Sequence, residues 1–161
     1  MVMKNMTTFT KWFLFNAVAL TFLFFAEAKG AISLMVKNDI SYLTLVIMAL
    51  YVLMSGMIGR LCCLADKINE KKREEAALHL TKRAEVGWFA AEHFFSIGLL
   101  GTVFGLCVAT STSLNEGTEI GDIVSGLKVG LNTAFYTTIC GIVFSLLLQI
   151  QLMILRFKLE E

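Results

Sequence analysis

Three threonines lie inside long apolar runs of the sequence, where a side chain able to do chemistry is unexpected. Thr102 falls in one glycine-rich run, and Thr137 and Thr138 fall in the next. A hydroxyl is disfavoured in a bilayer-spanning segment unless it finds a hydrogen-bond partner. Hydroxyls gathered at one depth could coordinate a dehydrated cation or order water beside an ionisable group. Alternatively, each threonine could bond back to the carbonyl one turn earlier, as threonine often does in membrane helices.

The depths of two of these hydroxyls can be compared if both runs are helical. Thr102 lies about fifteen residues, or roughly 22 Å, from an inner boundary near Gly87. Thr138 lies about seven residues, or roughly 10 Å, from an outer boundary near Leu131, which leaves about 20 Å of a ~30 Å hydrocarbon core. The two hydroxyls are therefore predicted to lie at about the same level.

Small residues recur at every third or fourth position of the same two runs, which places them on one face of each helix. Small faces let two membrane helices approach closely, using dispersion and interhelical hydrogen bonds instead of a hydrophobic driving force. The predicted helix-packing residues are Gly98, Gly101 and Gly105 in the first run, and Ala134, Gly141 and Ser145 in the second.

Composition indicates the elements that must position these residues. Hydrophobic residues make up 57% of the 161-residue chain and charged residues only 17%, and the mean hydropathy is +0.72. Such a chain is too apolar for a soluble domain of this size. We therefore predict an all-α integral membrane protein, one membrane domain over residues 1–161. Its four transmembrane helices are expected at about 12–28, 40–64, 87–109 and 129–155, with a brief turn at 30–39.

The distribution of basic residues predicts the orientation. About eleven of the fourteen Lys and Arg residues lie in the amino terminus, in residues 60–86 and in the carboxyl terminus. Four spans place these regions on one side, and the positive-inside rule makes that side the cytoplasm. Both termini are therefore expected in the cytoplasm. Residues 65–86 would form a short helical cytoplasmic hairpin between spans two and three, and residues 110–128 an external loop.

Several classes of function find no support in the sequence. A net charge of +1 gives no basic surface for nucleic acid. The four cysteines have no metal-ligand spacing, so no metal site or cofactor is predicted. No catalytic residues form a triad or carboxylate pair, so we do not expect an enzyme. Glu92 and His93, at the entrance to the third span, are interpreted as boundary residues rather than as a proton relay.

The segment Gly98-Leu-Leu-Gly-Thr-Val-Phe-Gly105, followed by Thr137-Thr-Ile-Cys-Gly141, resembles the MotA/TolQ/ExbB family of ion-driven motor subunits. Members carry a Leu-Gly-Thr-Val-x-Gly segment and then a Thr-x-x-Gly segment in successive spans. Thr102 matches the first threonine of the family and Thr138 the second. Thr137 beside Thr138 resembles the twin threonine of sodium-driven members. The resemblance covers about residues 86–155.

The resemblance implies a function for the whole chain. It would be the ion-conducting subunit of a proton- or sodium-driven motor in the bacterial inner membrane, forming a pentamer around a single-span MotB/ExbD/TolR-like partner. The partner's membrane aspartate would take up the transported H⁺ or Na⁺, and Thr102, Thr138 and Thr137 would line the ion pathway. No cofactor is implied beyond the transported ion.

The chain departs from the family pattern in three ways. It has no proline, residues 65–86 are too few for the large cytoplasmic domain of flagellar stators, and Thr133 replaces a glutamate found in three-span members. Two other functions therefore stay open from the residues alone. One is a stand-alone small four-helix transporter or pore-forming protein, and the other is a structural protein whose glycines serve only packing.

Overall fold

The computed structural model describes residues 7–68, 73–113 and 120–160, and all regular structure in these residues is helical. Four of its helices are long and apolar enough to cross a membrane, which confirms an all-α protein with four candidate spans. The chain is therefore a multi-pass membrane protein. In chain order the helices are α1 (Thr8–Ala28), α2 (Ala31–Asn38), α3 (Leu43–Ala65), α4 (Arg73–Ser113) and α5 (Ile120–Glu160).

The two longest helices, α4 and α5, contain 41 residues each. At 1.5 Å per residue each is about 60 Å long, roughly twice the thickness of a ~30 Å hydrocarbon core. Residues 73–86, which we assigned to the cytoplasmic hairpin, form the first turns of α4 and continue without a break into the third apolar run. Residues 69–72 of the predicted hairpin lie outside the described residues.

Two predicted connections are largely helical. The predicted external loop, 110–128, is helical up to Ser113 and again from Ile120, while residues 114–119 lie outside the described residues. Residues 120–128 contain no proline, and Asp122 in the first turn of α5 complements the positive helix end. The turn predicted at 30–39 holds α2, because its apolar residues recur at helical spacing and Met35 packs against the core.

The core is centred on α5, which α3 and α4 contact along much of its length. Ile47 and Ile58 of α3, Phe94 of α4 and Leu148 of α5 are buried there. The first helix, α1, lies at the periphery and exposes large apolar side chains, for example Phe22 at 75%. In a membrane protein such a surface faces lipid or another subunit, since lipid tails are as apolar as the side chains.

At one end of the bundle, Asp66 joins the end of α3 to the start of α1. Its two carboxylate oxygens accept hydrogen bonds from the backbone N–H groups of Thr8 at 2.9 Å and Phe9 at 2.8 Å. Burial raises the pKa of Asp66, but these N–H groups, the Thr8 hydroxyl and Lys158 together hold that pKa below its usual value. The carboxylate therefore caps the positive end of α1 in its charged form.

At the opposite end, the buried Asp39 organises the start of α3. Its carboxylate accepts hydrogen bonds from the backbone N–H groups of Ser41 at 2.9 Å and Thr44 at 2.8 Å. The turn is joined to α5 by Thr133, whose hydroxyl donates to the carbonyl oxygen of Asn38 at 3.1 Å. Thr133 of α5 therefore binds a turn of the chain's own backbone.

Candidate functional site

The antiparallel helices α4 and α5 make the most extensive helix contact in the protein, and their backbones nearly touch. A Cβ atom on Gly98 would lie 3.2 Å from the Cα of Gly141, and one on Gly105 would lie 2.7 Å from the backbone nitrogen of Ala134. A Cβ on Gly141 would lie 2.7 Å from the carbonyl oxygen of Phe94. A side chain would clash with backbone atoms at Gly105 and Gly141, and at Gly98 it would be closer to the backbone opposite than ordinary packing allows.

The remaining predicted packing residues lie in the same contact. A side chain on Gly101 would overlap Thr137, whose hydroxyl occupies the space that a Cβ of Gly101 would need. The hydroxyl of Ser145 crosses the contact and donates to the carbonyl oxygen of Ala91 at 2.7 Å. The small residues thus allow close approach at one point and admit a polar side chain at another.

Thr102 of α4 and Thr138 of α5 meet directly across this contact through their hydroxyl oxygens, and either hydroxyl can be the donor. The two threonines therefore lie at the same level of the bundle, as the depth comparison predicts. We call Thr102 and Thr138 the threonine pair.

Two carbonyl oxygens complete the surroundings of these hydroxyls. The oxygen of Gly98 lies 3.3 Å from the hydroxyls of both Thr102 and Thr138, and 3.5 Å from that of Thr137. The oxygen of Ala134 lies 2.9 Å from the hydroxyl of Thr138, 3.2 Å from that of Thr137 and 3.4 Å from that of Thr102. Each hydroxyl has one proton to donate, so at any moment it can bond either back to its own helix or across to the other.

The three threonines differ in exposure. Thr102 and Thr138 are half-buried at an edge of the helix contact, while Thr137 is fully buried behind them. The Thr137 hydroxyl also donates to the carbonyl oxygen of Thr133 at 2.9 Å. An ion or water approaching this edge would therefore meet the threonine pair first.

The chemistry of this site follows from its five oxygen atoms, three from hydroxyls and two from carbonyls. Neutral oxygen ligands suit hard cations and water. None of these groups titrates near neutral pH, so a proton could be held here only with a titratable group supplied from elsewhere. In the described ranges, no group of three or more His, Cys, Asp or Glu side chains is placed to hold a metal ion.

Gly130 is a contact residue that the sequence interpretation missed. A Cβ on Gly130 would lie 2.6 Å from the Cβ of Ala109 and 2.7 Å from its backbone nitrogen. Its position four residues before Ala134 continues the small-residue face by one helical turn, and this spacing was the available signal.

A second polar site was also missed, and it joins α1, α3 and α5. The side-chain amide of Gln151, fully buried, accepts hydrogen bonds from the indole N–H of Trp12 and the hydroxyl of Ser55, both at 2.9 Å. It donates to the hydroxyl of Tyr51 at 3.0 Å and to the amide oxygen of Asn16 at 3.3 Å. We call these five residues the Gln151 cluster. Its available signal was an amide inside an apolar run, which requires buried partners.

Fold and site together define a class: a multi-pass membrane protein whose two longest helices pack along small residues and present paired threonines at an edge. The chain belongs to the MotA/TolQ/ExbB proton channel family, whose sequence model matches residues 64–161. The match contains α4, α5 and both threonine segments, while α1, α2 and most of α3 precede it. The family is one of proton channels, not of enzymes. No curated protein and no solved structure matches the chain with significant similarity.

Proposed function

We propose that the chain is the ion-conducting subunit of a proton- or sodium-driven membrane motor. Its threonine pair would line the ion pathway, with Thr137 behind it. The observation that carries this proposal is the direct contact between Thr102 and Thr138 at an accessible edge of the α4–α5 contact. Membership of a proton channel family supports it, since both threonines fall within the matched residues.

The proposal includes a partner with a single membrane span that carries an aspartate. The hydrogen-bond partners of the threonine pair are each other and two backbone carbonyls, all of them neutral. Proton transport past such a site requires a group whose pKa lies within reach of physiological pH. A membrane aspartate on the partner, next to the exposed edge of the pair, would supply that group, and the pair would orient its water or share its sodium ion.

Several copies of the chain, five by the family resemblance, would surround the partner. The exposed apolar side chains of α4 and α5 that lie away from the threonine pair, for example Leu100 and Val143, would then contact lipid or neighbouring subunits. In this arrangement the threonine pairs of all copies form a ring at one depth. In such a ring a half-buried threonine can present its hydroxyl to the central helix of the partner, whereas a fully buried threonine cannot.

We place the protein in the bacterial inner membrane with both termini and residues 65–86 in the cytoplasm. In the structure the start of α1 contacts the end of α3 through Asp66, and the start of α4 lies beside the end of α5 around a cavity lined by Thr81 and Arg156. The regions rich in Lys and Arg therefore share one end of the bundle, and the positive-inside rule makes that end cytoplasmic.

Replacing the threonine pair tests the proposal. The wild-type chain and the product of a neighbouring gene with one aspartate-bearing span would be purified together, weighed by native mass spectrometry and placed in liposomes. We expect proton or sodium flux, and its loss in the Thr102→Val, Thr138→Val double variant. Thr21→Val is the matched control, because Thr21 is exposed on α1 and bonds only to its own helix in the structure, through the carbonyl of Ala17 at 2.8 Å.

Two results would overturn the proposal. Flux that survives both valine substitutions would remove the pair from the pathway. Flux from the chain alone, undiminished without the partner, would instead favour a stand-alone pore or transporter. The same native mass measurement gives the number of copies, and a value other than five would correct the pentamer while leaving the pathway in place.

A further inference from the structure

A recess with a mixed polar and apolar lining lies between α4 and α5, on the side facing the start of α4. It has a volume of about 480 Å³ and opens on the protein surface. Three of its lining residues are polar and three are apolar. They are Glu92, Ser145 and Gln149, and Phe95, Ile142 and Leu146.

The recess lies on the same side of the helix contact as the threonine pair. Phe95 precedes Thr102 by seven residues, and Ile142 follows Thr138 by four, so each shares a helix face with its threonine. Glu92 lies ten residues before Thr102, a distance of about 15 Å along α4. The recess therefore continues the accessible edge of the pair toward the end of the bundle that is rich in Lys and Arg.

The recess contains a short hydrogen-bond chain that ends at the backbone carbonyl of Ala91, the residue before Glu92. The amide nitrogen of Gln149 donates to the hydroxyl of Ser145 at 3.2 Å, and that hydroxyl donates to the carbonyl oxygen of Ala91 at 2.7 Å. Glu92 lines the same recess and is exposed. Its neighbour His93 is directed elsewhere, since its ring stacks on Phe89 and its Nδ1 lies 2.7 Å from the carbonyl oxygen of Phe89.

Glu92 also lies past the boundary of the third apolar run, in its first two turns. It is about five residues, or ~7 Å, beyond the boundary predicted near Gly87. A carboxylate at that depth is costly in lipid, so it is retained where it faces water, a cation or a protein cavity. The recess provides such a cavity for Glu92. A residue that merely marks the membrane boundary would not need one.

We propose that Glu92, with Gln149 beside it, is a second cation site of the ion pathway, on the cytoplasmic side of the threonine pair. A sodium ion would be coordinated there by the carboxylate and the amide oxygen. A hydronium ion would give its proton to the carboxylate, one O–H bond breaking as the other forms and leaving a water molecule, and the new O–H bond would then break as the proton passes to a second water molecule on the other side. The inference rests on the proposed function and assigns the inner half of the pathway to this chain rather than to its partner.

The test measures flux through the reconstituted complex with the partner, using a pH-sensitive dye for protons and ²²Na⁺ for sodium. We expect Glu92→Gln to lower the flux about tenfold or more, and Glu92→Asp to restore part of it, because the carboxylate carries the ion. Glu75→Gln is the matched control, since Glu75 is an exposed glutamate in the first turn of the same helix. Native mass spectrometry verifies that each variant assembles like the wild type.

The outcomes separate this inference from the proposed function. If the threonine double variant abolishes flux while Glu92→Gln conducts normally, the second site is wrong and the proposed function stands. If the wild-type complex does not conduct, the proposed function is wrong, and the second cation site, which rests on it, is wrong as well. If Glu92→Gln does not assemble, the wild-type complex is treated instead with dicyclohexylcarbodiimide, a reagent that modifies carboxyl groups. We expect an adduct at Glu92, found by peptide mass spectrometry and reduced by Na⁺ if sodium is the ion, and an unmodified Glu92 would overturn the proposal.

Discussion

The threonine pair and the Gln151 cluster are both polar sites in apolar surroundings, yet they differ in burial and in how completely their hydrogen bonds are satisfied. In the Gln151 cluster, the amide of Gln151 is fully buried, and it donates to two side chains and accepts from two others. At the threonine pair, two hydroxyls with one proton each share two carbonyl oxygens and stay half-buried at an edge. The first site is saturated within the chain itself, and the second has acceptor capacity left for a group outside it.

Under the proposed function, this difference separates a polar site that stabilises the protein from a polar site on the ion pathway. Because buried polar groups are costly unless fully paired, a saturated cluster fixes the positions of α1, α3 and α5 relative to one another. An incompletely saturated pair at an accessible edge can exchange partners at little cost, which an ion pathway requires. Substitutions should therefore separate the two sites, with the Gln151 cluster affecting stability and the threonine pair affecting flux.

The largest effect is expected where the α4–α5 contact itself is forced apart. In Gly105→Ala, the new Cβ would lie 2.5 Å from the carbonyl oxygen of Gly130, a backbone atom that cannot rotate away. We expect a loss of about 3 kcal/mol in the free energy of unfolding, measured in mixed micelles, together with loss of flux. Gly56→Ala is the control, because nothing lies within 4 Å of its new Cβ. Equal stability of the two variants would show that the contact is not close-packed.

The next largest effect is expected when the central amide of the Gln151 cluster is removed. Gln151→Leu keeps the side-chain volume roughly constant but removes the acceptor of the Trp12 indole N–H, while the Ser55 hydroxyl keeps the side-chain oxygen of Asn16 at 3.1 Å. We expect a loss of about 2 kcal/mol in unfolding free energy, because the indole donor is left unsatisfied and the hydrogen bonds from the amide are lost. Flux per assembled complex should stay at the wild-type value. A fully assembled Gln151→Leu complex that no longer conducts would contradict the division between the two sites.

Much of the fold could be predicted because bilayer constraints are simple. Apolar runs of sufficient length must be helices, and the spacing of Gly98, Gly101 and Gly105 defines a face without any knowledge of the partner helix. The level of Thr102 and Thr138 followed from the rise per residue alone. These predictions depend on one helix or one helix pair at a time, which is why a single sequence was enough for them.

What could not be predicted depends on long-range pairing or on continuity across a polar boundary. The partners of Gln151 lie on α1 and α3, far away in sequence, and nothing local indicates which side chains will meet it. The predicted loop at 110–128 failed for another reason. Hydropathy marks where the lipid ends, whereas a helix continues into water until its hydrogen bonding is broken, and α5 already begins at Ile120.

A smaller effect is expected at Asp66, which secures the same helix α1 that the Gln151 cluster positions. Asp66→Asn removes the charge at the α1 terminus and should cost less than about 1 kcal/mol at neutral pH. Because the pKa of Asp66 is lowered in the folded protein, its contribution is complete above the ordinary value near pH 4 and is lost as the pH falls through the folded value. Thermal unfolding followed by circular dichroism from pH 7 to about pH 2 should show a wild-type loss of stability that is smaller in the variant. If stability falls with pH equally in the wild type and in Asp66→Asn, the Asp66 carboxylate does not stabilise the start of α1.

The smallest effect on stability is expected at Thr137, where the two kinds of polar site meet in one residue. Thr137 is as buried as Gln151, yet its hydroxyl lies 3.2 Å from the same Ala134 oxygen that Thr138 contacts. Thr137→Val should cost about 0.5 kcal/mol, the typical value of one hydrogen bond between membrane helices. Its effect on flux should depend on the ion. A sodium ion held at the pair would lose one of five nearby oxygens, so the sodium concentration for half-maximal flux should rise several-fold, whereas proton flux should change little. A Thr137→Val complex that assembles normally but conducts neither ion would place Thr137 itself in the pathway. The buried Thr137 could then no longer be distinguished in function from the accessible threonine pair.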